Sequence, residues 1–205
     1  MGQLSSKKSI RRRLTREERR RQLLEVSWRI IQDGGSDTLT LGRLANRAGV
    51  AKPVVYDHFN TRNGLLVALY EDFDARQAPI MNAAIQAGEA TLNGKARVIA
   101  SSYVDCVLLQ GREMPDVLAA LAGSPELEKT KRSYQAGFLE KCRLTLAPFA
   151  EGGDISTAGL WGVLGAAETL SKAAVSGDIT PEQAKDVLFQ LIVTIVESVN
   201  TECQR

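Results

Sequence analysis

The sequence predicts an all-α protein: an N-terminal three-helix helix-turn-helix domain, then a longer helical domain. Three observations carry the prediction. Two short helical patterns meet across Ala48-Gly49-Val50. Charge is unevenly spread: residues 1–60 hold 13 Lys plus Arg against 6 Asp plus Glu, a net +7, while residues 61–205 hold 13 against 18, a net −5. Near the end, Val187 to Val199 contains nine apolar residues in thirteen, a helix apolar on more than one face. The overall net charge of +2 hides this asymmetry, which makes the basic half the one suited to a polyanion. With 205 residues, 44% hydrophobic and 24% charged, the chain has the composition of an ordinary soluble protein long enough to bury a sizeable core.

Each element follows in turn. Residues 1–14 carry Lys7, Lys8, Arg11, Arg12 and Arg13 among serines with no apolar period. They read as a flexible basic arm, either a solvating tail or one that tracks phosphates or enters a minor groove. Thr15-Arg16-Glu17-Glu18 is a capping box, in which the threonine hydroxyl and the glutamate carboxylate satisfy amides at the start of a helix. Leu23, Leu24, Ser27, Ile30 and Ile31 form that helix's buried side, and Gly34-Gly35 stop it. Arg19, Arg20 and Arg21 either flank a DNA backbone or are merely solvated. Thr40 caps the next helix, where Leu41, Leu44, Ala45 and Ala48 lie on one face, and Gly49 closes it in a left-handed conformation. A further helix, about Lys52 to His58, buries Val55 and Phe59 and leaves Lys52, Pro53, Val54, Tyr56 and Asp57 outward. Thr61 then stands as the cap of a helix through Leu65, Leu66, Leu69 and Phe73.

An exposed lysine beside a small apolar group and a tyrosine suits the major groove, where lysine can donate to guanine and an apolar side chain can touch a thymine methyl. Tyr56 and His58 can donate to phosphate oxygens, and Arg62 is placed to reach one. The pattern Ala45-x-x-Ala48-Gly49-Val50, Tyr56-x-His58-Phe59, Arg62-x-x-Leu65-Leu66 resembles the DNA-binding domain of the TetR family of bacterial transcriptional regulators over about Thr15 to Phe73. The resemblance implies a recognition helix third in order, with phosphate-directed roles at Tyr56, His58 and Arg62. It makes Thr40, Lys52, Pro53, Val54, Tyr56, His58 and Arg62 the candidate DNA contacts. This chain departs from the family pattern in three ways. Arg62 replaces the usual lysine and keeps its charge. Ala51 stands where a serine cap is common, forfeiting about 1 kcal/mol. Asp57 puts a carboxylate on a helix facing a polyanion, where it either reads a cytosine amino group or points away.

The domains divide as 15–75 for DNA binding and 76–205 for effector binding and dimerisation, because Pro79 is expected to kink or end the fourth helix near Ala78. Helices are predicted over about Lys95–Gln110, Asp116–Ala122 and Pro125–Ala147, then a loop at Pro148 to Asp154 containing Gly152-Gly153. Thr180-Pro181-Glu182-Gln183 starts the last helix, and Gly159, Gly162, Gly165 and Ala166 let the helix before it approach a neighbour closely. A homodimer through these last two helices covers the apolar surface most simply, and the resemblance implies the same interface. It also implies release from a near-palindromic operator by a small molecule, hence a repressor. Tyr103, Cys106, Met114, Tyr134, Phe138 and Trp161 are the candidate lining for a hydrophobic or aromatic effector.

Cys106, Cys142 and Cys203 are odd in number without metal-type spacing, so neither a disulfide framework nor a metal site is expected, and each thiol is either core filler or redox-active. No run of about 18 apolar residues and no signal core is present, so the expected location is the cytoplasm, away from the membrane. The sole histidine, His58, already sits on the recognition helix, leaving no Ser/His/Asp constellation, and no cofactor is implied. A regulator rather than an enzyme is the expectation.

Overall fold

The computed structural model describes residues 14–110, 114–150 and 154–202. Residues 1–13 of the basic arm, the Gly152-Gly153 pair and Cys203 lie outside these. Among the described residues the regular structure is helical: α1 (Arg16–Gly34), α2 (Leu41–Ala48), α3 (Lys52–Phe59), α4 (Arg62–Ala87), α5 (Leu92–Gln110), α6 (Met114–Ala120), α7 (Pro125–Leu146), α8 (Thr157–Ser176) and α9 (Pro181–Glu202), with short 3-10 turns at Ser36–Thr38 and Ala147–Phe149. None of these helices is long and apolar enough to cross a membrane. The chain divides into two compact units, Met1–Arg62 and Asn63–Arg205.

In the first unit the local signals act as the sequence requires. The Thr15 amide donates to Glu18 Oε2 at 2.7 Å and the Glu18 amide donates to Thr15 Oγ1 at 3.2 Å, completing the capping box of α1. Leu23, Leu24, Ser27, Ile30 and Ile31 are buried, joined by Trp28. The Ser27 hydroxyl donates back to Leu23 O at 2.8 Å, which satisfies a polar group inside an otherwise apolar face. Gly35 ends α1 at φ 77°, and Thr40 Oγ1 accepts from the Arg43 amide at the start of α2. At the end of α2, Gly49 adopts φ 65°, ψ 38°, and the Val50 amide reaches back to Ala45 O at 3.0 Å. These bonds satisfy end carbonyls of α2 while turning the chain into α3.

The second unit is built on α5, α8 and α9, which pack on one another, with α7 against α5 and α8. Its core includes Ile99, Val104, Cys142, Leu146, Leu160, Val163, Leu188, Ile192 and Val196. Lys185 Nζ lies 2.6 Å from Asp105 Oδ1, and the Arg97 guanidinium stacks 4.3 Å from the Phe189 ring centre, so cations bridge α5 and α9. Thr180 and Gln183 exchange two hydrogen bonds, 2.8 and 3.1 Å, at the start of α9. Gly159 is where α8 and α9 touch: a Cβ there would stand 2.8 Å from Ile195 Cγ2.

The prediction that α4 ends or kinks near Ala78 is corrected in one respect, since α4 continues through Pro79 to Ala87. Proline removes the hydrogen bond that would run to the Ala75 carbonyl. Ala75 and Pro79 are both exposed, so water can take that carbonyl and the remaining ladder continues. At its far end α4 is closed by Lys95, whose ammonium donates to Ile85 O at 2.6 Å and Gly88 O at 2.8 Å.

Candidate nucleic-acid interface

The outward face of α3 follows from the residues that cannot face outward. Val55 and Phe59 are buried, and the Arg20 guanidinium covers the Phe59 ring from α1 at 5.4 Å. Locked at i and i+4, the helix must present the opposite side to solvent. There Lys52, Pro53 and Asp57 are exposed, Tyr56 is 51% exposed, and Val54 and His58 are half-buried. The Lys52 stem lies along α2, its Cε 3.9 Å from where a Cβ on Gly42 would stand, so its cation is carried at the leading end of the helix. Ala51 makes no side-chain cap to α3. Instead the Val54 amide donates to Ala51 O at 3.0 Å, and Pro53 occupies the first turn, where no amide is needed.

Seven residues line an open cleft between the start of α1 and the outward side of α3: Leu14, Thr15, Arg16, Arg19, Val54, Asp57 and His58. Burial holds the His58 imidazole below its ordinary pKa, and the Arg16 and Arg20 cations add to this, with Arg19 weaker and Asp57 opposing. Arg16 and Arg19 are therefore neighbours of α3. The run of basic residues on α1 was visible in sequence, but which of them reaches α3 was not. Arg19 lines the cleft, Arg20 covers Phe59, and Arg21 is exposed.

The structure places two predicted contacts in supporting positions. Thr40 caps α2 through its hydroxyl while remaining exposed. Arg62, expected at a phosphate, directs its guanidinium inward within the first unit. Nε donates to Leu39 O at 2.9 Å and Nη2 to Ser36 O at 2.8 Å, with Asp37 Oδ1 3.9 Å away.

In the second unit, Tyr103 and Phe138 meet edge to face at 5.0 Å, and Tyr70 and Tyr134 likewise at 5.3 Å. Tyr70 was not singled out in sequence. Its hydroxyl is pushed up to about 12, first by burial and then by Asp74, Tyr134, Glu168 and Cys106. Burial likewise raises Tyr103, with Glu168 and Tyr70 adding. Both hydroxyls therefore stay protonated as hydrogen-bond donors. Cys106 is half-buried nearby, and Met114 is fully buried on α6. Cys142 is buried in the core, its thiol raised to about 12 by burial, which makes it inert. Trp161, expected with the lining, stands 49% exposed on α8.

Residues 23–69 match the family model for bacterial regulatory proteins of the tetR family. The HTH-type transcriptional activator FasR of Mycolicibacterium smegmatis is 41% identical over 59 residues, 29% of this chain, and the chain spans 27% of that relative's length. Across nearly the whole chain the likeness is one of fold. A transcriptional regulator from Pseudomonas aeruginosa PAO1 superposes with TM-score 0.76 at 15% identity, covering 94% of this chain and 98% of that one. The regulator FadR from Bacillus subtilis, solved in complex with stearoyl-CoA, gives 0.62 at 18% identity over 84% and 97%. The fold is the one shared by these two regulators. It is over the helix-turn-helix region, residues 23–69, that the sequence itself matches the tetR family of bacterial regulatory proteins.

Proposed function

We propose that this chain is a ligand-responsive transcriptional repressor that binds a near-palindromic operator as a homodimer. The observation that carries the reading is the outward face of α3, where Lys52, Pro53, Val54 and Tyr56 stand together on a helix fixed from behind by Val55 and Phe59. Lys52 and Val54 read base edges; Tyr56 and His58 hold the backbone. Arg62 serves mainly by bracing the turn before α2 from the start of α4, with its remaining donors available to a phosphate. Two recognition helices related by a dyad meet successive major grooves, so half-site centres lie about 10 bp apart, or somewhat more.

Dimerisation through α8 and α9 is supported by their exposed apolar groups. Trp161 and Val187 are 49% and 54% exposed, and Cβ atoms added to Gly162 or Gly165 would meet nothing within 4 Å. That open, small-residue surface admits a second copy closely. An effector site in the second unit is supported by the paired rings Tyr103–Phe138 and Tyr70–Tyr134 with their protonated hydroxyls, which fit a hydrophobic or aromatic ligand oriented by a few donors. The neighbour solved with stearoyl-CoA is consistent with a ligand of that character. Operation in the cytoplasm follows from acting on DNA. An activator is the second reading, favoured by the name of the relative FasR.

The test is a gel shift against the DNA upstream of the chain's own gene, followed by footprinting. A salt-sensitive specific complex with a symmetric footprint is expected; no specific complex, or a single unsymmetric half-site, overturns the reading.

A further inference from the structure

The cleft between α1 and α3 has a chemistry that base reading does not use. It is an open space of about 610 Å³ between Leu14, Thr15, Arg16 and Arg19 on one side and Val54, Asp57 and His58 on the other. His58 is the only histidine in the chain. The charged groups around it are Arg16, Arg19 and Arg20 from α1 and Asp57 on its own helix. Three cations therefore surround a neutral ring, against one carboxylate. The ring is neutral because burial and those cations hold the proton off, in that order of importance for burial, Arg16 and Arg20. An anion entering the cleft cancels the arginine field and reverses that balance.

We propose that this cleft takes one phosphodiester of the DNA backbone, and that His58 takes up a proton from solvent as it does so, so that DNA affinity rises as pH falls. The inference rests on the DNA-binding reading and adds its proton linkage and two phosphate ligands, Arg16 and Arg19. The sign follows from the two states. Bound phosphate raises the imidazole pKa above its value in the free protein, so the complex holds more protons in the window between them. Affinity is flat above the bound-state pKa, climbs as pH falls through the window, and is flat again below the free-state pKa. Burial and the arginines hold the free-state value below that of an ordinary histidine. A linkage of one proton corresponds at most to about tenfold in affinity per pH unit for each cleft filled.

The experiment measures fluorescence anisotropy of a labelled duplex from the gene's own upstream region, at fixed ionic strength, from about pH 8 down to about pH 5.5. In parallel, the Cε1 proton of the single histidine is titrated by NMR in free protein and in complex. Wild type is expected to tighten toward low pH, and the His58 pKa to rise on DNA binding. His58→Gln should flatten the profile. Arg16→Gln with Arg19→Gln should raise the free His58 pKa and reduce the salt slope by roughly two units. The NMR comparison on wild type needs no variant to fold. Binding that is independent of pH, or a His58 pKa equal with and without DNA, overturns the inference and leaves DNA binding standing. No binding at any pH or salt overturns the DNA reading itself, and this inference with it.

Discussion

Arg62 joins parts of the chain that are far apart in sequence: its guanidinium holds the carbonyls of Ser36 and Leu39, 26 and 23 residues upstream, at 2.8 and 2.9 Å. Both bonds come from a charged donor with about a third of its side chain exposed. Truncation takes the charged donor from both carbonyls at the turn before α2, leaving Ser36 O with the Leu39 amide at 3.0 Å. Arg62→Ala should therefore lower the stability of the DNA-free protein by about 1.5–3 kcal/mol, with Arg62→Lys restoring part of it. Urea unfolding without DNA measures this; an unchanged midpoint would mean the guanidinium is free for a phosphate after all. Ser171 is the opposite case, since its hydroxyl is fully buried on α8 and, among the described residues, has no hydrogen-bond partner. Burying a hydroxyl without a partner costs about 1–3 kcal/mol. Ser171→Ala should therefore leave stability unchanged or raise it by about 1 kcal/mol, and a loss of that size would reveal a bond the hydroxyl makes. The Arg62 contact was not legible in sequence, because the motif fixes the residue's place and not its partners. Nor was the meeting of Arg16 and Arg19 with His58, which depends on how α1 crosses α3.

Whole elements were more legible where their signals were local. Thr15 with Glu18, Thr40, Gly49, and Thr180 with Gln183 each act within a few residues, and each closes its helix end as the sequence requires. At Pro79 sequence left a kink or an end open, because the cost of the proline depends on whether the freed carbonyl reaches water, a property of the fold. Glycines inside helices show the same dependence. At Gly159 a Cβ would stand 2.8 Å from Ile195 Cγ2, a β-branched methyl with little room to turn, whereas at Gly137, exposed on α7, it would meet nothing within 4 Å. The same substitution should thus act in opposite directions. Gly159→Ala forces α8 from α9 and should destabilise by about 1–3 kcal/mol. Gly137→Ala gains helix propensity and should stabilise by about 0.5–1 kcal/mol. Thermal melts of the two variants decide the point, and equal shifts would show that α8 and α9 are not held by this contact.

At the scale of the whole molecule, the open question for the fold is what covers the outer side of α8 and α9. Composition foretold an apolar excess there but not its division. Leu188, Phe189, Ile192 and Val196 turn into the subunit core, while Trp161 and Val187 remain half exposed beside Gly162 and Gly165. In the proposed dimer, Trp161 and Val187 are the exposed apolar groups of α8 and α9 that a second copy would cover. Burying them against a second copy removes their apolar surface from water at about 25 cal/mol per Å². A charge at either position must be desolvated in that contact but costs little in a lone subunit. Trp161→Glu and Val187→Glu should therefore leave helix content and monomer stability near wild type while lowering the mass in light scattering from dimer to monomer. They should also weaken operator binding far more than binding to a single half-site, because the two recognition helices then lose the advantage of being joined. If both variants remain dimeric with operator affinity intact, the second subunit docks elsewhere and the exposed Trp161 needs another explanation.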